Sequence, residues 1–131
     1  MDAIKNFLGI ETAPPFNPTD FIRDNLMKNK ILIIGKQTCP HTRQINNIFI
    51  NGLQETPKLI DLDKMEHPEH SNLLFRDLVE KTDRKATVPK IFVCGEFIGG
   101  GIETQKFIKE GRLQKLLATC DMKKLSRPDR A

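Results

Sequence analysis

Ile31-Leu32-Ile33-Ile34-Gly35-Lys36-Gln37-Thr38-Cys39-Pro40-His41-Thr42 is the stretch on which the reading of this chain turns. Four consecutive aliphatic residues without polar alternation mark a strand buried on both faces. Gly35 ends the run, and after Pro40 a helical stripe begins, carried by Ile45, Ile48, Phe49 and Leu53. Cys39 therefore falls at a strand-to-helix turn, as N-cap or first helical residue, with Pro40 in the first turn. Unpaired backbone N–H groups and the helix dipole stabilise a thiolate there, and such cysteines fall from about 8.5 into a range of roughly 3.5–7.5. The thiolate is the nucleophile, so Cys39 is the candidate catalytic residue. Lys36 adds a cation nearby, the Thr42 hydroxyl can reach the sulfur from one turn on, and His41 charges or walls the site. The competing reading is a buried small hydrophobe, but such cysteines seldom sit between Thr and Pro at a helix start.

Outward from this turn, Asn17-Pro18-Thr19-Asp20 opens an earlier helix with Phe21, Ile22, Asn25 and Leu26 at helical spacing. Beyond Pro57 a short alternating strand runs from Lys58 to Leu62. His67-Pro68 opens a helix with apolar positions Leu73, Leu74, Leu78 and Val79. Ile91-Phe92-Val93, a tight Cys94-Gly95 turn and Phe97-Ile98 predict a hairpin, and Gly99-Gly100-Gly101 leads to a last helical region near 103–119. Strands separated by helices pair in parallel through right-handed crossovers, whereas a hairpin pairs antiparallel. The fold class is therefore α/β, a four-stranded mixed sheet with helices on both faces. Residues 1–16 read as a loose tail with a Pro14-Pro15 stop, 17–120 as the domain, and 121–131 as a basic, disordered tail.

A chain of 131 residues fits one domain, and with no Trp or Tyr its core must be aliphatic plus Phe. The formal charge of +4 is spread along the chain and interleaved with acids, which predicts a mixed solvated surface and no nucleic-acid partner. No stretch is long enough for a membrane span. The N-terminus has neither the apolar core of a signal peptide nor the Arg-rich, acid-poor character of a transit peptide, so a cytoplasmic location is expected. Three widely spaced cysteines do not make a secreted disulfide framework. Cys94 stands where hairpins favour Asn before Gly and reads as an exposed turn residue far from Cys39. Cys120 ends the last helix, and either could form intermolecular disulfides under oxidation. His67 and His70 stand three apart without a cysteine pair, so no metal site is expected.

Three ordered blocks carry a family resemblance. Thr38-Cys39-Pro40-His41, with Lys36 three residues before the cysteine, resembles the glutaredoxin active site. Thr87-Val88-Pro89-Lys90-Ile91-Phe92-Val93 is similar to that family's Thr-Val-Pro segment entering a strand, and Gly95-Glu96-Phe97-Ile98-Gly99-Gly100 to its hairpin and double-glycine turn. The resemblance spans roughly residues 18–118 and implies a thioredoxin-like fold with a cis Val88-Pro89 bond, which costs only about 0.5–1 kcal/mol. It also implies glutathione as co-substrate. Lys36, assisted by Arg76, would hold the glycine carboxylate, and His41 would wall the site. The backbone of the Thr87-Val88-Pro89 segment would pair with the cysteinyl residue through Val88. The N–H groups of Gly101 and Ile102 would receive the γ-glutamyl carboxylate.

Two departures narrow what carries over. Dithiol members place a second cysteine three residues after the nucleophile, and here that position is Thr42, which implies a monothiol route. The major monothiol class has Cys-Gly-Phe-Ser and an added loop, and this chain has neither. The double glycine is usually followed by a small residue and then Asp, Ser or Thr, whereas this chain has Gly101-Ile102. Glu103 is the candidate substitute for the missing acceptor if the helix starts one residue later, and glutathione is expected to bind less tightly by about 1 kcal/mol or more. Pro40 stiffens the helix start, so a bridged iron–sulfur cluster is not expected. The leading expectation is a monomeric glutathione-dependent oxidoreductase that reduces protein–glutathione mixed disulfides with Cys39 as nucleophile. The alternative is a low-turnover glutathione sensor or interaction module. A thioredoxin-like dithiol reductase fits least, because Thr42 removes the vicinal thiol.

Overall fold

The structure is a computed structural model that describes residues 13–125. Its elements run α1 (Pro18–Lys28), β1 (Ile31–Gly35), α2 (Pro40–Asn47), β2 (Lys58–Asp61), α3 (Pro68–Lys81), β3 (Lys90–Val93), β4 (Glu96–Gly99), α4 (Gly101–Lys109), α5 (Arg112–Ala118) and α6 (Met122–Leu125). The four strands form one sheet in the order β2-β1-β3-β4. β1 pairs parallel with β2 and antiparallel with β3, which in turn pairs antiparallel with β4. This is the mixed thioredoxin-like sheet that the strand spacing and the resemblance lead one to expect.

The uninterrupted apolar run of β1 is explained by its place in the middle of the sheet. Ile31 and Ile33 face Ile45 and Phe49 of the α2 side together with Leu113 and Leu117 of α5. Leu32 and Ile34 face the other way, onto Ile22 of α1 and Leu74 and Leu78 of α3. Successive strand residues point to opposite faces, so a strand covered on both sides has no polar position. All four are at most 2% exposed, and truncating any of them to Ala costs about 2–5 kcal/mol.

Local signals set the helix starts. The Asn17 side chain accepts the Asp20 N–H at 3.1 Å, capping α1 with Pro18 in its first turn. Three expectations are corrected. The stripe that read as one helix to Leu53 is α2 followed by a π turn, Ile48–Gly52. The region near 103–119 starts at Gly101 and is split by Gly111, whose φ of 73° breaks the helix between α4 and α5. Leu73, placed in the core by spacing, is 41% exposed, because α3 turns its neighbour Leu74 inward.

The cysteines differ most from expectation. Cys94, at φ 52° in the turn with Gly95, is bonded to Cys120, so neither is held for an intermolecular bridge. The pairing was illegible in the sequence because 26 residues separate the two. Leu125 of α6 is buried against Gly95, so residues 121–125 are ordered, although they read as tail. At the other end, Phe16 stacks on His70, and the His70 ring bonds the Pro14 carbonyl at 2.9 Å. The parts of the two expected tails at 1–12 and 126–131 lie outside the described residues.

Candidate active site

Cys39 is the N-cap of α2, with extended backbone (φ −83°, ψ 122°), and Pro40 follows it. Its own N–H donates to the Lys36 carbonyl at 2.8 Å, and its carbonyl accepts the Arg43 N–H at 3.2 Å. The loop 36–39 is thus a closed turn that hands the cysteine to the helix. The half-buried thiol is held below its usual pKa. The largest cause is a hydrogen bond from the Thr42 N–H, which outweighs the opposing effect of burial. The His41 N–H, the Thr42 hydroxyl and the charge of Arg43 act in the same direction. His41 therefore serves the sulfur through its backbone, while the residue itself is exposed. Free N–H groups of a first helical turn favour an anion by the same physics.

Thr42 is fully buried below the cysteine, and its Oγ1 accepts the Lys36 N–H at 3.3 Å. It rests on Gly35: a Cβ there would meet Thr42 Oγ1 at 2.6 Å and Pro89 Cβ at 3.4 Å. The Pro89 carbonyl lies in turn 3.5 Å from where a Gly100 Cβ would stand. Gly35, Thr42, Pro89 and Gly100 are thereby stacked, and the three sequence blocks meet at one point. The Val88-Pro89 bond is cis, as the resemblance implies.

A cleft of about 270 Å³ opens beside the cysteine loop, lined by Lys36, Asp63, Ser71, Asn72, Phe75 and Val88 among others. Lys36 Nζ lies 3.8 Å from Asp63, an exposed pair of the kind that contributes about 0–1 kcal/mol. Asp63 also accepts from the Thr38 hydroxyl at 3.4 Å, and Asp61 from the Gln37 N–H at 3.3 Å, tying the loop to the end of β2. Lys36 and Val88 share this cleft, whereas Arg76 is exposed and does not line it. Gly101 and Ile102 form the first turn of α4, where Gly100 caps without a side chain and the N–H groups remain free. Ile102 is 78% exposed. Glu103 folds back over Gly99, its Cβ 2.7 Å from where a Gly99 Cβ would be, and its carboxylate reaches toward Gly100. Thr87 is exposed at the mouth of the loop, and Pro89 is buried beneath it.

One support was missed in the sequence. Lys90, directly after Pro89, is fully buried, and its ammonium donates to Asp83 Oδ1 at 2.7 Å, the Lys85 carbonyl at 2.7 Å and the Thr87 hydroxyl at 3.4 Å. Burial alone raises the Asp83 carboxyl, yet the bonds from Lys90 and the Lys85 N–H overcome it and hold the group below its usual value. This network pins residues 83–87, the segment that delivers Val88 to the cleft. The signal was a charged residue at the head of an otherwise apolar strand, which must find partners when buried. Among the described residues no group of three or more His, Cys, Asp or Glu side chains could hold a metal ion.

A helix start bearing a cysteine of lowered pKa, set against a buried proline loop on this sheet, defines a thioredoxin-fold thiol oxidoreductase. Known proteins give the narrower assignment, although no family model matches the chain. Mouse mitochondrial glutaredoxin-2 is 32% identical over 123 residues, spanning 94% of this chain and 74% of that protein. Monothiol glutaredoxin-S6 of rice (Oryza sativa subsp. japonica) is 34% identical over 101 residues, spanning 77% and 73%. Among solved structures, a buckwheat glutaredoxin–glutathione complex superposes with a TM-score of 0.72 at 21% identity, over 79% of this chain and 89% of that one. The chain belongs to the glutaredoxin family.

Proposed function

We propose that this protein reduces protein–glutathione mixed disulfides by a one-thiol cycle on Cys39. The observation that carries the reading is the state of its three cysteines. Cys39 is free, with a lowered pKa, while Cys94 and Cys120 are bonded to each other. They lie by the end of β3 remote from Pro89, and the position one turn after Cys39 holds a buried Thr. No second thiol is therefore available to resolve an adduct within the chain. In the cycle, the Cys39 thiolate attacks the glutathione sulfur of the mixed disulfide. A Cys39–glutathione disulfide forms, and the protein cysteine leaves as a thiolate that takes a proton from water. A second glutathione thiolate then attacks the bound glutathione sulfur, releasing glutathione disulfide and restoring Cys39.

Glutathione as the small partner is supported by the buckwheat complex and by the cleft beside Cys39. In this reading Lys36 would hold the glycine carboxylate, the Val88 backbone would pair with the cysteinyl residue, and the free N–H groups of Gly101 and Ile102 would receive the γ-glutamyl carboxylate. Arg76, outside the cleft, would need to swing in to assist. The test is deglutathionylation of a glutathionylated test protein by wild type and Cys39→Ser. Activity confined to wild type is expected, and equal rates would sink the reading.

A second reading, a slow glutathione-binding sensor, is favoured by exposed Ile102, which cannot accept from the γ-glutamyl amino group. Ile102→Asp is expected to lower the KM for glutathione about fivefold, equivalent to about 1 kcal/mol. Formation of the Cys39 adduct without turnover in wild type would favour the sensor over the enzyme.

A further inference from the structure

A mixed disulfide has two halves, and the residues flanking Cys39 border two clefts. Consecutive loop residues split between them: Lys36 lines the cleft already described, and Gln37 lines another. The second is larger, about 450 Å³, and reaches Thr42, whose N–H and hydroxyl bond the Cys39 sulfur. Beyond Thr42 it continues along α2 and the π turn, past Arg43, Asn46, Asn47, Ile50 and Asn51, with Leu59 of β2 also in its wall.

The chemistry of this second cleft suits a polypeptide. Asn51 donates to Asn47 Oδ1, which leaves the Asn46 amide, the Asn47 amide N–H groups and the Asn51 carbonyl oxygen to offer donors and acceptors, as an extended backbone requires. Ile50 is 44% exposed and supplies an apolar contact. The cleft is also positive. Arg43 donates to the Gln37 carbonyl at 2.7 Å, and among the described residues no carboxylate pairs with it. Lys36 in the first cleft, by contrast, is already opposed by Asp63. No Asp or Glu lines the second cleft.

We propose that this second cleft seats the polypeptide flanking the glutathionylated cysteine, and that Arg43 selects an acidic residue close to that cysteine. The inference rests on the one-thiol reading above. Glutathione occupies the Lys36 side, the departing protein thiolate belongs to the chain on the Arg43 side, and the sulfur exchange between them is the one already written. Complementary charge of this kind governs encounter and selectivity more than tightness.

The test uses three substrates: two glutathionylated peptides of equal length, with Asp or Lys flanking the cysteine, and the mixed disulfide of glutathione with 2-mercaptoethanol, which has no peptide. Wild type is expected to prefer the Asp peptide by about fivefold in kcat/KM, shrinking at high salt as exposed charges are screened. Ile50→Asp and Asn47→Asp place a carboxylate in the cleft and are expected to lower the ratio of Asp-peptide to 2-mercaptoethanol-disulfide turnover. Asn47→Lys is expected to raise it. Ratios that do not move in these variants, or a wild type indifferent to the flanking charge, overturn the second cleft while leaving the one-thiol cycle intact. Failure to turn over the 2-mercaptoethanol disulfide at all overturns the cycle instead.

Discussion

Gly35 and Thr42 are packed so closely that a Cβ on Gly35 would stand 2.6 Å from Thr42 Oγ1 and 2.9 Å from its Cγ2. The last residue of β1 therefore lacks a side chain because the helix that starts at Cys39 sits directly upon it. Gly35→Ala is expected to destabilise the fold by about 1–3 kcal/mol, the usual range for overpacking a site that cannot yield. Denaturant unfolding reads the loss. Thr42→Ala in the same chain should recover part of it, and a double variant no better than the single would show that the clash lies elsewhere.

Thr42 also serves the cysteine electrically. Thr42→Val keeps the volume and the backbone N–H but removes the hydroxyl. The midpoint of Cys39 alkylation against pH should move up, yet stay below that of an ordinary cysteine, since the backbone N–H is the larger influence. Thr42→Ser should restore the wild-type midpoint. The sign follows from the species stabilised: the hydrogen bonds favour the thiolate, so losing one favours the thiol.

Lys90→Met leaves Asp83 without its ammonium partner. The cost should be about 2 kcal/mol, below the 3–5 typical of broken, fully buried pairs because the Asp83 side chain is 23% exposed. The KM for glutathione should rise as well, through loss of order in the segment before Val88. Asp83 has a folded pKa below its unfolded one, so its contribution is complete above about pH 4 and is lost as pH falls through the folded value. Asp83→Asn should flatten that part of the acid-unfolding profile, which urea titrations across pH 2–6 would measure.

Cys120→Ser opens a bridge with a sequence separation of 26, for which chain entropy gives a loss of about 3.5 kcal/mol. Wild type in excess dithiothreitol should unfold at the same denaturant midpoint as the variant. Protection of the Leu125 amide from hydrogen exchange should fall in both, because α6 follows the bridge directly. An unchanged midpoint on reduction would mean that α6 packing alone holds the C-terminal segment.

How far the sequence reached depends on the distance over which each feature is determined. The Ile31–Ile34 run, the Asn17 cap, the Cys39-Pro40 helix start and the Cys94-Gly95 turn are settled by neighbours within a few residues. Period, caps and turn chemistry were enough to place the strands, the hairpin and Cys39. Lys36 and Val88 were legible as residues of one site only because ordered motifs named them, and both line one cleft. Arg76, carried over the same way, lies outside the cleft that holds both. What tertiary structure decided involves residues far apart in the chain. Cys94 met Cys120, Lys90 found Asp83 behind the proline loop, and Gly35 accepted Thr42 as its neighbour. The two clefts beside Cys39 belong to the same class, since each is walled by segments that only folding brings together. The sequence by itself determined that a cysteine sits at a helix start. Packing of distant segments decided that it is the only free thiol and what surrounds it, because burial and pairing are properties of contacts that no local pattern encodes.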